Sequence, residues 1–181
     1  MKTGAKLAIN FMPKAVYSPV ACIQLTLTTA DRVGFPCEQI IFEITEAEEV
    51  HDFKHLSRIV HEYHRQGINV ALDDFGSGYS GLNLLAGVPA EIIKLDMALT
   101  RNLELRPTAL TIVKHMVALA KSLKCILVAE GVETVQEFVA LRSCGIQFMQ
   151  GYLFAKPTFE SLPQVDLSFM APQQRNEYLT A

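Results

Sequence analysis

Six short apolar runs, separated by longer stretches of helical periodicity, constrain this chain more than any other feature. The runs are residues 6–11 (KLAINF), 39–44 (QIIFEI), 68–74 (INVALDD), 91–96 (EIIKLD), 125–131 (CILVAEG) and 146–151 (IQFMQG). They are rich in β-branched residues and almost continuously apolar, as strands are when both faces of a parallel sheet are covered. Between them, residues 47–66 place Val50, Phe53, Leu56, Ile59, Val60 and Tyr63 on one helical face, and Gly67 follows as a stop. Pro107 opens a helix over 107–123, and Thr134 with Glu137 forms a capping-box pattern ahead of 134–144. A weaker helix is expected over 19–34, where threonines accumulate, and a short one over 79–87. Strict strand–helix alternation implies an α/β fold with a parallel sheet and right-handed crossovers.

Composition narrows the function. A length of 181 residues suits one domain, and a chain half apolar with 19% charged residues can bury a core. A net charge of −3 without a basic cluster argues against nucleic-acid binding. The most apolar region, 109–132, is broken by Lys114, His115, Lys121, Ser122 and Lys124, so it lacks the run of about 18 apolar residues that spans a bilayer. No export signal is visible after Met1. Cys22, Cys37, Cys125 and Cys144 have no CxxC spacing, and Cys125, opening an apolar run, reads as a buried free thiol, which suits a reducing cytoplasm.

The chemistry lies at the strand ends. The runs finish with Asn10; Glu43 and, just beyond, Glu46; Asp73 and Asp74; Lys94 and Asp96; Glu130 and then Glu133; and Gln150. In a parallel α/β sheet these ends gather on one face, where ligands bind. A single acid after a strand is usually a helix N-cap or turn former. Polar ligand-type residues at all six ends are a different pattern. Adjacent like charges at Asp73 and Asp74 need a compensating cation, and all-oxygen donors favour Mg²⁺ or Mn²⁺ over zinc. A carboxylate shared between two such ions is the arrangement of two-metal phosphoester hydrolysis. The histidines at 51, 55, 61 and 64 have metal-compatible spacing but lie on a helix away from the strand ends, and are expected on its solvated face. The loop FGSGYSG after Asp74 has no lysine of a phosphate-binding loop and reads as a flexible cover.

FEITE (42–46), DDFGSGYSG (73–81), IIKLD (92–96), AEGVET (129–134) and MQGYLFAKP (149–157) occur in an order that resembles the EAL domain family. The likeness covers about residues 6–160, and the first half is similar to EAL domains attached to BLUF blue-light sensors. The resemblance implies a TIM-like (β/α)₈ barrel that hydrolyses cyclic di-GMP to pGpG with Mg²⁺ or Mn²⁺. It implies Asn10, Glu43, Asp73, Asp74 and Glu130 as metal ligands, with Asp73 as the bridge. Lys94 would position or deprotonate the attacking water, Gln150 would stand near that water and the phosphate, and Glu133 would belong to the substrate and catalytic shell. Pro157 would contact substrate. Glu46 would anchor the loop 75–81, which in the family supports dimers. A homodimer and a sensor domain upstream are the expected partners besides cyclic di-GMP.

The Glu-Ala-Leu segment of the family's first strand is not among the 181 residues. Six strands are found where eight close a barrel of about 250 residues. The expectation is therefore an incomplete barrel: a partial EAL domain over 1–160, with its first strands missing, and a C-terminal tail over 161–181. Three readings follow: an impaired phosphodiesterase, an inactive EAL fragment serving as a cyclic di-GMP receptor or interaction module, and a Schiff-base aldolase with Lys94 as nucleophile.

Overall fold

The computed structural model describes residues 4–45, 52–78 and 81–170. Strands β1 (Leu7–Asn10), β2 (Ile40–Thr45), β3 (Asn69–Phe75), β4 (Ile92–Leu95), β5 (Ile126–Ala129) and β6 (Phe148–Met149) form one sheet in chain order. Every neighbouring pair is parallel. Each expected run became a strand. The last is the shortest, because the chain turns away after Met149, although Gln150 still donates its N–H to Ala129 O at 2.9 Å and accepts from Val132 N at 3.1 Å. At Gly151, with φ +155°, the Val132 backbone passes too close for any side chain.

The helices follow their sequence signals. Helix α1 (Pro19–Val33) is capped by Ser18 and ended by Gly34 in the left-handed conformation. Helix α2 (Phe53–Arg65) begins later than residue 47, because Asp52 takes the cap and accepts from His55 N at 2.8 Å; Val50, His51 and the rest of 47–51 lie outside the described residues. Helices α3 (Gly81–Gly87), α5 (Pro107–Leu123) and α6 (Val135–Cys144) stand where expected, and α6 carries the full Thr134–Glu137 capping box. One turn was not anticipated: α4 (Met97–Thr100), capped by Asp96, whose carboxylate accepts from Ala98 N at 2.8 Å.

Alternation along each strand divides the side chains between two faces. Phe42, Ile44, Val70 and Leu72 pack with Ile23 of α1 and Leu56, Ile59 and Tyr63 of α2. Ile93, Leu95, Leu127 and Ala129 pack with Val113 and Val117 of α5 and Leu141 of α6. The other face carries a smaller group, Ile41, Ala71 and Ile92 with Val128 against them. The strands are apolar on both faces for this reason.

Two expectations about single residues change. His55 and His64 are not on a purely solvated face: His55 Nε2 lies 2.6 Å from Val16 O, and His64 pairs with Glu91 at 3.1 Å. Cys125 is half-buried, with its thiol donating to Ala90 O at 3.0 Å, and all four cysteines are free. Among the described residues no helix is long and apolar enough to cross a membrane. Beyond residue 160 the chain returns to the domain. Phe169 packs on Phe138 and Phe154 with ring centroids 5.3 and 5.9 Å apart, and Met170 is buried.

Candidate active site

The face that packs Ile41, Ala71, Ile92 and Val128 together continues two residues further along each strand as Glu43, Asp73, Lys94 and Glu130. The period of a strand brings these four to the same side, at the C-terminal ends. Lys94 Nζ stands 2.7 Å from Glu43 Oε1, 2.8 Å from Asp73 Oδ1 and 2.6 Å from Glu130 Oε1. Glu43, Asp73 and Lys94 are each less than one-tenth exposed, at 6%, 8% and 8%. Gln150 Nε2 donates to the same Glu130 Oε1.

Strict alternation would send Asp74 to the opposite face from Asp73. Two irregularities prevent it: the β3–β4 register shifts between Leu72 and Phe75, and Asp74 has φ +54°. Asp73, Asp74 and Glu130 can thus each bring one carboxylate oxygen within 4.8 Å of the others. A bulge that re-aims a side chain beside a site is a recurrent use of such irregularity.

Electrostatics set the chemistry of the cluster. Burial pushes the Glu130 carboxyl up to about 7, and Asp73 and Glu43 push the same way against the opposing pull of Lys94. Burial alone would lower Lys94, but hydrogen bonds to Asp73, Glu130 and Glu43 outweigh it and hold the ammonium above its ordinary range. Lys94 is therefore charged and a poor nucleophile, which removes the basis of the aldolase reading. Among the described residues, one ammonium pairs with the carboxylates of Glu43, Asp73 and Glu130, and Asp74 adds a further acid beside Asp73 and Glu130. That surplus of hard oxygen donors fits a divalent cation of the Mg²⁺ or Mn²⁺ type.

The other expected positions are more scattered. Asn10 ends β1 in register with Glu43 and is exposed. Glu133, in the loop after β5, pairs with Arg101 Nη2 at 2.8 Å. Pro157 is exposed in the segment following β6. Glu46 lies outside the described residues. The sequence reading did not anticipate Arg101, which sits in no strand-end motif, nor the reach of Glu137. Beyond its capping box, Glu137 accepts from Glu133 N at 2.9 Å and Asn102 N at 3.0 Å.

The profile of the EAL domain matches residues 1–157. The chain belongs to the EAL domain family. A standalone EAL protein of Vibrio cholerae O395, solved in a c-di-GMP-bound form, superposes with a TM-score of 0.86 at 51% identity, over 91% of this chain and 69% of that one. Klebsiella pneumoniae BlrP1, solved as a manganese/cy-diGMP complex, superposes with a TM-score of 0.78 at 34% identity, over 88% of this chain and 39% of that one. Cyclic di-GMP phosphodiesterase PdeR of Escherichia coli K12 is 38% identical over 115 residues, 64% of this chain. The blue light- and temperature-regulated antirepressor BluF of the same organism is 30% identical over 166 residues, 91% of this chain. The chain spans 17% of PdeR and 41% of BluF. In this EAL domain the six parallel strands make up part of a TIM-like barrel, with the acidic cluster at its mouth.

Proposed function

We propose that this chain is the core of a metal-dependent phosphodiesterase that hydrolyses cyclic di-GMP to pGpG. The observation that carries the reading is the cluster of Glu43, Asp73 and Glu130 around Lys94 at the strand ends, with Asp74 close to Asp73 and Glu130. Glu43, Asp73, Asp74, Glu130 and Asn10 would hold Mg²⁺ or Mn²⁺, and Asp73 would be the shared ligand. Bound there, such ions would supply an activated water and charge neutralisation at the attacking and leaving oxygens. Lys94, kept protonated, acts as a charged donor that positions the attacking water and does not serve as its base. Gln150, tied to Glu130, orients the same region, Glu133 faces the substrate from the loop after β5, and Pro157 lines the substrate's approach. Glu46 anchors the loop 75–81, and that loop supports a homodimer. We place the protein in the cytoplasm, with a sensor domain upstream in its full length and residues 161–181 as a tail to the partial EAL domain over 1–160.

A second reading has its own support. One relative is named an antirepressor. On that reading the chain binds cyclic di-GMP or a protein without hydrolysing anything. Calorimetric titration with Mn²⁺ tests the shared premise. The chain should bind the ion, and Asp73→Asn should abolish binding; unchanged binding would overturn the metal assignment. Turnover of cyclic di-GMP separates the two readings. Slow hydrolysis, below the enzyme range of ~1–10³ per second, supports an impaired enzyme, and none at any metal concentration supports the receptor.

A further inference from the structure

Three successive residues at the end of α4 each bond the segment that follows β5. Thr100 Oγ1 donates to Glu130 O at 2.7 Å, Arg101 Nη2 to Glu133 Oε1 at 2.8 Å, and Asn102 N to Glu137 Oε1 at 3.0 Å. The other oxygen of Glu137 takes Glu133 N at 2.9 Å and Thr134 N at 3.1 Å. Strand β4, which carries Lys94, and strand β5, which Glu130 follows, are thus stitched together just beyond their ends. Arg101 sits in the middle of the stitch. Its Nη1 lies 3.6 Å from the buried Glu137 carboxylate, so one guanidinium reaches an inner and an outer acid at once. Its backbone is held as well: Arg101 N donates to Met97 O at 2.8 Å, and Arg106 donates to Arg101 O at 3.1 Å.

We propose that Arg101 is a positioning residue that fixes the Glu133 carboxylate at the mouth of the site. This rests on the reading of Glu133 as part of the substrate shell. An ordinary exposed ion pair contributes little, because both side chains lose entropy and water screens the charges. Here the arginine is ordered by Glu137 and by its own backbone before Glu133 is added, so little further freedom is lost when the pair forms. Glu133 is 43% exposed. Without Arg101 it would be free to turn to solvent or toward any cation held by Glu130. Lysine would not replace Arg101 fully, since a single ammonium lacks the planar fork that spans two carboxylates.

A double-mutant cycle on binding tests this. Affinity for cyclic di-GMP in Ca²⁺ is measured by calorimetry on the 181-residue chain, with melting temperature recorded for each variant. Arg101→Met should weaken binding about tenfold, within the range of coupling found inside one hydrogen-bond network. Glu133→Ala should weaken it comparably, and the double variant should bind no more weakly than Glu133→Ala alone. Arg101→Lys should recover part of the loss, and it carries the same cycle if Arg101→Met does not fold. If removing Arg101 costs as much in the Glu133→Ala background as in the wild type, the assignment of Arg101 is overturned and the functional reading stands. A wild-type chain that binds no cyclic di-GMP overturns the functional reading, and this inference with it.

Discussion

Among the described residues, Lys94 is the one cation paired with the carboxylates of Glu43, Asp73 and Glu130, and removing it leaves buried like charges facing one another. Lys94→Met should therefore destabilise the metal-free chain by about 3–5 kcal/mol, measured by urea unfolding, and Mn²⁺ should restore part of the loss. A variant as stable as the wild type would mean that the acids share protons well enough without it. Glu130 gives the pH dependence. Its folded value of about 7 lies above its ordinary 4.5, so the folded chain binds this proton more tightly than the unfolded one. The stabilisation is complete below pH 4.5 and is lost as pH rises through about 7. A cation competes with that proton, so Mn²⁺ affinity should move in the opposite direction and strengthen as pH rises through about 7. Titrations at several pH values check the sign; an affinity independent of pH would remove Glu130 from the ligand set.

At the scale of elements, the β4–α5 and β5–α6 connections behave as one unit because Glu137 joins them. Its carboxylate is 1% exposed and accepts three backbone N–H groups, from Asn102, Glu133 and Thr134. Burial would raise this carboxyl, but those donors, with Arg101 adding to them, hold it below 4.5. The stabilisation is therefore present above 4.5 and is lost as pH falls through the lower folded value. Glu137→Ala should cost about 1–3 kcal/mol near neutral pH by leaving those donors unpaired. Glu137→Gln should flatten the acid limb of the stability curve, where pH falls below 4.5. Equal slopes for wild type and Glu137→Gln would show that another carboxylate governs the acid limb.

At the scale of the molecule, the sheet has two edges, β1 and β6, and apolar side chains accompany both. Leu7 is 48% exposed at one edge and Phe148 is 51% exposed at the other. Open edges of this kind pair with other chains. The 181-residue chain should self-associate at micromolar concentration in light scattering. Residues 165–170 already cover part of the β6 side, where Phe169 packs on Phe138 and Phe154 and Asp166 N donates to Phe154 O at 2.7 Å. Deleting residues 161–181 should uncover those rings and turn limited association into aggregation. A truncated chain that scatters no more than the intact one would show that this segment protects nothing.

The sequence by itself determined the order of elements, the parallel sheet and the family, because those depend on local signals. Apolar runs, a proline or glycine at a helix end and the Thr134–Glu137 box each act over a few residues. It also determined which strands carry acids, since residues at strand ends share a face wherever the sheet is parallel. The i, i+2 relation between Ile41 and Glu43, Ala71 and Asp73, Ile92 and Lys94, and Val128 and Glu130 could have been read in advance from the two-residue period of a strand. Tertiary structure alone decided the rest. Asp74 joins Asp73 and Glu130 where the ladder slips between Leu72 and Phe75 and its own φ turns positive, and a slip is a property of two strands. Arg101 meets Glu133, 32 residues away, because two crossover loops end side by side, and nothing in either loop names its neighbour. The raised Glu130 carboxyl likewise exists only where folding has removed water and gathered acids from separate strands.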